Sequence, residues 1–227
     1  MQKITNRSKD LAIAILIGGK SKRFGSDKGI YEYNGKPLVS YQLETLHQFN
    51  YDIFLGANST NQVQNYIKNI DIRKIVAFII DEKDISSDNN LRTPMIGLFS
   101  VFKELDKLGY KKVFALSCDT PLIKKEVVEY LIRNCKFFDS CIPQWNNGYI
   151  EPLFAIYPVK KALRTAKKSI KNQSFKLSNL LSNKWQINYI SIEKYIKPLD
   201  NDLVTFTNIN EQTDVEKLNT IFNKFDS

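Results

Sequence analysis

Leu11-Ala12-Ile13-Ala14-Ile15-Leu16-Ile17-Gly18-Gly19-Lys20-Ser21-Lys22-Arg23-Phe24-Gly25-Ser26-Asp27-Lys28 is the stretch whose reading decides the fold. Seven apolar residues, Leu11 to Ile17, run unbroken into a glycine pair. A run of that length, rich in isoleucine and closed by Gly-Gly, reads as a strand buried on both faces. It is too short to cross a bilayer, and no small-residue cleavage site follows a longer apolar stretch. The expectation is a cytoplasmic protein with no membrane partner.

Outward from this strand the pattern alternates. Strand-like runs at Tyr51–Ala57, Lys74–Ile80 and Lys111–Cys118 are separated by helical periodicity at Pro37–Phe49, Thr60–Asn69 and Pro94–Leu108. Pro37 and Pro94 suit first-turn positions, where the missing N–H costs nothing, and Gly109 suits a helix end. Near-continuous apolar strands alternating with helices predict an α/β fold: a mostly parallel sheet covered on both faces. After Thr120 the rhythm changes. Pro121–Cys135 reads as a helix, and Phe137–Gln144 and Tyr149–Tyr157 read as strands around the turn Asn146-Asn147-Gly148, predicting an antiparallel addition. Val159–Ser169 and Ser174–Ser182 follow as helices, Trp185–Ile192 and Leu203–Thr207 as strands, and Glu211–Phe225 as a closing helix. The 227 residues suit a single domain, with a nucleotide-binding half over about 11–120 and a substrate half over 121–227.

Composition narrows the chemistry. Cys118, Cys135 and Cys141 form no CxxC pair, and His47 is the sole histidine, so neither a Cys/His zinc site nor histidine acid–base catalysis is expected. Cys118 reads as a small core residue and His47 as an incidental one. The net charge of +9 comes from dispersed lysines, with a modest concentration from Lys160 to Lys184 and no block of nucleic-acid type. That charge fits a polyanionic substrate without naming one, and no nucleic-acid partner is expected.

An open parallel sheet binds ligands at the carboxyl ends of its strands, which is where Gly18 and Gly19 stand. Two missing Cβ atoms let the backbone approach a phosphate, and successive N–H groups in such a turn form an anion nest. Lys20, Lys22, Arg23 and Lys28 place four cations within nine residues; Arg23 suits bidentate phosphate contact and Lys28 a point charge. Neither GxxxxGK[ST] nor GxGxxG is present, and the plain alternative is a solvated basic turn. Asp119 ends the Lys111–Cys118 run, so it lies on the same edge. A hard carboxylate there suits Mg²⁺, which takes one or two protein oxygens plus phosphate and water; it also suits an N-cap ahead of Pro121. Asp81, at the end of another strand, is placed to contact a nucleotide or to be an ordinary turn residue.

Leu16 to Lys28 resembles the LAGGxSxRMGxDK motif of molybdenum cofactor guanylyltransferases, the molybdopterin-guanine dinucleotide biosynthesis protein A type, with Ile17 for Ala and Phe24 for Met. The resemblance continues over most of the chain. Asn34-Gly35-Lys36-Pro37-Leu38 is similar to the next family segment. Arg92-Thr93-Pro94-Met95-Ile96-Gly97 stands at the GPLxG turn with Thr93 for its first glycine. Ser117-Cys118-Asp119-Thr120-Pro121 resembles the CDxP motif, Glu151-Pro152-Leu153-Phe154-Ala155-Ile156-Tyr157 the EPLxAxY strand, and Phe206-Thr207-Asn208-Ile209-Asn210 the FxNIN segment. In the GxRxLR-like segment, Gln173 stands where arginine is expected, with Lys176 as a substitute cation.

The resemblance implies a Rossmann-like three-layer α/β/α nucleotide-diphospho-sugar transferase fold. It implies GMP transfer from GTP to the terminal phosphate of molybdopterin, with Mg²⁺ as cofactor and pyrophosphate as leaving group. Its site residues carry over as Leu16, Ile17, Gly18, Gly19, Arg23, Lys28, Asp81 and Asp119 for the nucleotide, with Arg23, Lys28 and Asp119 catalytic and Asp119 the metal ligand. Asn208 and Asn210 carry over to the pterin substrate. Acceptor molybdoenzymes or their chaperones are implied downstream partners of a monomer. The alternatives are a molybdopterin cytidylyltransferase, a sugar- or polyol-phosphate nucleotidyltransferase, and a non-catalytic nucleotide-binding protein.

Overall fold

A computed structural model describes residues 9–18, 27–85, 91, 93–211, 213, 214, 216 and 218. Its centre is a seven-stranded sheet in the order β5-β4-β1-β6-β8-β7-β9. The strands are β1 (Leu11–Leu16), β4 (Asp52–Ala57), β5 (Ala77–Ile80), β6 (Lys112–Ser117), β7 (Ser140–Gln144), β8 (Phe154–Pro158) and β9 (Ile187–Ser191). A small ribbon, β2 (Glu32–Tyr33) with β3 (Lys36–Pro37), stands apart. Strands β5, β4, β1 and β6 are parallel, β8 is antiparallel to β6 and β7, and β9 is parallel to β7. The sheet is therefore mostly parallel with an antiparallel insertion, as the pattern predicts.

Every side chain of β1 is buried, and its pleat divides the core. Leu11, Ile13 and Ile15 pack with α1 (Leu38–His47) and α4 (Lys125–Asn134), through Val39, Leu43, Leu46, Val127 and Leu131. Ala12, Ala14 and Leu16 face α3 (Pro94–Lys107) and α5 (Val159–Lys171), through Leu98, Val101, Phe102, Ala162 and Ala166. On that face Ala12, Ala14, Ala115 and Ala155 are small, which makes room for Phe102 and Tyr157, whose rings meet edge to face at 5.7 Å.

The register brings strand ends together. Leu16 pairs with both Gly56 and Ser117, and Ala57 pairs with Ile80. Because β8 runs backwards, the β7–β8 hairpin also turns at this carboxyl edge. Gly148 has a φ of 87°, the left-handed conformation that the Asn-Gly turn anticipates.

Several expected elements differ. The helix after Thr120 begins only at Lys125, because the Gln42 amide holds the Ser117 and Thr120 carbonyls (both 2.7 Å) in a turn. Asp119 is consequently no helix cap. Helix α1 starts at Leu38, since Pro37 is spent in the ribbon. The strand expected at Lys74–Ile80 is only Ala77–Ile80, preceded by a 3₁₀ turn at Ile72–Lys74. Ser174–Ser182 contains only a 3₁₀ turn, Leu177–Leu180, because Gln173 ends α5 with a φ of 54°. Leu203–Thr207 is no strand. The buried Asp200 carboxylate accepts the Val204 and Thr205 N–H groups (3.1 and 2.8 Å) and winds Val204–Phe206 into a 3₁₀ turn. Most of the closing helix lies outside the described residues, although Asp214, Glu216 and Leu218 are helical.

Candidate active site

The strand ends gather the expected residues on one edge. Leu16 and Ile17 bury their side chains on opposite faces of the sheet. Their carbonyls are committed as well: Leu16 O accepts the Cys118 N–H (3.1 Å) and Ile17 O the Gln62 amide (2.8 Å). Both therefore act as framing for Gly18. The Gly18 N–H donates to Gly56 O (3.2 Å), so it does not join an anion nest, and its backbone avoids the left-handed region. What Gly18 contributes is space. A Cβ there would sit 3.5 Å from Asn58 N and 3.7 Å from Asp81 Oδ2, on the floor between them. Gly19 and Arg23, together with Lys20 and Lys22, lie outside the described residues.

Asp81 is drawn into this floor by its N–H, which donates to Ala57 O (2.8 Å). Its other oxygen is 3.4 Å from where a Cβ on Gly97 would stand, in the first turn of α3. The expected glycine at position 93 is not needed. Thr93 is extended (φ −135°, ψ 151°), a conformation open to any residue, and its carbonyl receives the Ile96 N–H (3.0 Å).

Lys28 opens a 3₁₀ turn capped by Asp27. Its ammonium lies 3.8 Å from Asp119 Oδ2 and donates to Asn210 Oδ1 at 3.0 Å. Asp119 O accepts the Ile209 N–H (2.8 Å), which ties the Asn208–Asn210 segment to the end of β6. Asn208 and Asn210 are both exposed on either side of buried Ile209. Residues 182 positions apart in the chain, Lys28 and Asn210, thus meet beside Asp119. Cys118 is buried, and burial with the nearby Asp119 and Asp27 charges pushes its thiol well up, so it is a core thiol and not a nucleophile.

Asp119 is partly exposed, on an open edge and beside Lys28. Among the described residues no three His, Cys, Asp or Glu side chains gather as a closed metal cage. One hard carboxylate with room for phosphate and water is a donor set that fits Mg²⁺.

Residues with no role in the sequence reading complete the site. Gln42 is buried on α1 and holds the Asp119 turn from below. Gln62 and Tyr66 on α2 (Thr60–Asn69) hold Asp27. The available signal was a glutamine on the apolar stripe Val39–Leu43–Leu46, and a Gln/Tyr pair four apart on a helix poor in apolar residues. Glu151 accepts from Trp145 Nε1 (2.6 Å); burial, with a smaller contribution from the Asp119 charge, raises its carboxyl above the usual range. Beside it opens a cavity of about 670 Å³ whose wall includes Gln144, Tyr149, Ile150, Pro152, Lys176 and Tyr189.

With this geometry in view, comparison with known proteins is decisive. Residues 13–183 match the family model described as the MobA-like NTP transferase domain. The chain belongs to that family. It is 31% identical to a Pyrococcus horikoshii protein named "Probable molybdenum cofactor guanylyltransferase", over 81% of this chain and 88% of that one. It is 32% identical to a Methanocaldococcus jannaschii protein of the same name, over 88% and 94%. Among solved structures, molybdopterin-guanine dinucleotide biosynthesis protein A from Archaeoglobus fulgidus shares the fold, with a TM-score of 0.73 and 24% identity over 94% of this chain and 99% of that one. The chain is thus a nucleotidyltransferase of three-layer α/β/α architecture, and no described helix is long and apolar enough to cross a membrane.

Proposed function

We propose that this nucleotidyltransferase moves GMP from GTP to the terminal phosphate of molybdopterin, releasing pyrophosphate, in the cytoplasm and as a single domain. The observation that carries the reading is the meeting of Lys28, Asp119 and Asn210 at the carboxyl edge of the sheet. The names borne by relatives at 31% and 32% identity support the acceptor and the base.

In this reading an oxygen of the acceptor phosphate attacks the α-phosphorus of GTP, and the bond to the bridging oxygen of pyrophosphate breaks. Such a transfer needs positioning and charge neutralisation more than covalent participation by the protein. Lys28 holds triphosphate oxygens, and Arg23 adds a second cation. Asp119 is the ligand for Mg²⁺, which when bound screens the charge that builds on the phosphates. Leu16, Ile17 and Gly18 shape the floor under the nucleotide, and Gly19 is assigned to the nucleotide with them. Asp81 offers a carboxylate to the adjacent N–H groups on one edge of guanine, which suits a two-oxygen acceptor. Asn208 and Asn210 face the acceptor. The cavity beside Tyr149 and Lys176 has the volume and the mix of aromatic and polar wall expected of a site for a flat, phosphorylated acceptor.

The test is pyrophosphate release from GTP and Mg²⁺, with and without molybdenum cofactor, together with thermal shifts from GTP, CTP, ATP and UTP. Release that requires both GTP and the cofactor, with the largest shift from GTP, is the expected result. Preference for CTP, or release driven by a sugar or polyol phosphate, replaces the acceptor or base assignment. Binding with no turnover on any acceptor would leave a nucleotide-binding protein.

A further inference from the structure

The two buried side chains of α2 are Gln62 and Tyr66, four residues apart on one face, and both end in polar atoms. A helix that docks this way gains less from apolar burial than α1 or α3 do, so its polar contacts need another account.

The Gln62 side chain makes three hydrogen bonds. Its Nε2 donates to Ile17 O (2.8 Å) and to Asp27 Oδ2 (2.5 Å), and its Oε1 accepts the Asn58 N–H (2.9 Å). Two acceptors against the nitrogen and one N–H against the oxygen admit one orientation of the amide. The Tyr66 hydroxyl donates to the other Asp27 oxygen (2.7 Å), which also receives the Gly29 N–H (3.2 Å). Gly29 has no room for a side chain, since a Cβ there would come within 2.0 Å of the Tyr66 hydroxyl oxygen. Ile17 precedes the glycine pair, and Asp27 precedes Lys28. One buried side chain therefore joins the end of β1 to the residue that caps the Lys28 turn.

We propose that Gln62 is a positioning residue for nucleotide transfer: by binding Ile17 O and Asp27 at once, it sets where the Lys28 ammonium stands opposite Asp119. The inference rests on reading Lys28 as a phosphate-binding cation. A role confined to anchoring α2 would affect stability alone, whereas a positioning role makes the effect of Gln62 depend on Lys28.

Dissociation constants for GTP with Mg²⁺, and melting temperatures, are to be measured for the parent, Gln62→Met, Lys28→Ala and the double variant. Methionine keeps the length of the side chain and removes its three hydrogen bonds. Gln62→Met is expected to weaken GTP binding about tenfold, the scale of a lost buried hydrogen-bond set. In the Lys28→Ala background the same change is expected to add less than about twofold, because the group it positions is gone. Tyr66→Phe is expected to repeat the pattern at smaller size, and carries the test if Gln62→Met does not fold. An equal loss with and without Lys28, or no loss from Gln62→Met where Lys28→Ala weakens binding, overturns the proposal. If Lys28→Ala leaves GTP binding unchanged, the nucleotide reading of Lys28 is itself what fails.

Discussion

The end of β1 and β6 and the hairpin end of β7 and β8 share one edge of the sheet, yet they are built on opposite principles. Around Lys28 and Asp119 the chain is held by buried polar side chains: Gln42 beneath Asp119, Gln62 and Tyr66 around Asp27. Around the cavity the wall is carried by side chains that stand in solvent, Tyr149 at 74% exposure and Tyr189 at 45%. Under the proposed transfer, the difference follows from the work each side would do. A cation and a carboxylate aimed at one phosphorus lose effect with small displacements, so they are worth fixing with bonds made in the core. A surface that receives a large acceptor and releases a larger product gains from side chains free to move.

That contrast can be broken most severely at Asp119. Asp119→Ala is expected to lower transfer by about a thousandfold, the scale seen when a charge-stabilising group is removed, with a melting temperature near that of the parent. Steady-state pyrophosphate release and a thermal melt check both halves, and normal Mg²⁺-dependent turnover would sink the assignment. Gln42→Leu comes next. It leaves the Thr120 carbonyl without its donor and the Ser117 carbonyl with only the Thr120 hydroxyl (3.3 Å), at a cost of about 1–3 kcal/mol, and is expected to slow turnover about tenfold by loosening the Asp119 turn. Chemical denaturation together with kcat measures it.

On the open side the effects are smaller and fall on the acceptor. Tyr149→Ala is expected to raise the acceptor KM about three- to tenfold, the value of one aromatic contact, while the KM for GTP stays unchanged. A rise in the GTP constant instead would mean that the cavity serves the nucleotide. The smallest effect is expected at Asp139, far from the chemistry. The Lys161 ammonium, at 2.6 Å, holds this carboxyl below its usual range, and the Gln186 N–H assists. A depressed carboxyl stabilises the fold above its unfolded value, about 3.9, and loses that contribution as pH falls through the lower folded value. The pair is solvated, so Asp139→Asn is expected to shift melting by no more than about 3 °C at pH 7, and by less below pH 4.

The half of the molecule that is most buried was the most legible. Strands β1, β4 and β6 fall within a residue of their apolar runs at each end, because a strand covered on both faces must be apolar throughout. The later segments were harder. Leu203–Thr207 has the composition of a strand, but the buried Asp200 carboxylate captures two of its N–H groups. Pro121–Lys124 has a helical look, but its neighbouring carbonyls belong to Gln42. In both places a side chain outside the segment overrode its propensity, Asp200 from just upstream and Gln42 from far back in the chain.

The sequence by itself determined that Gly18, Asp81 and Asp119 would sit on one edge, since each follows a strand of a parallel sheet and strand direction assigns the edge. It also determined the kind of chemistry, because a chain with one histidine and no paired cysteines leaves lysines and carboxylates to handle phosphate. Only the tertiary structure decided which of them meet. Lys28 reaches Asn210 across 182 residues and stands at Asp119 because β1 and β6 are neighbours and Gln62 joins Ile17 to Asp27. Those contacts are made by side chains whose partners are remote in sequence, and no local periodicity encodes a partner.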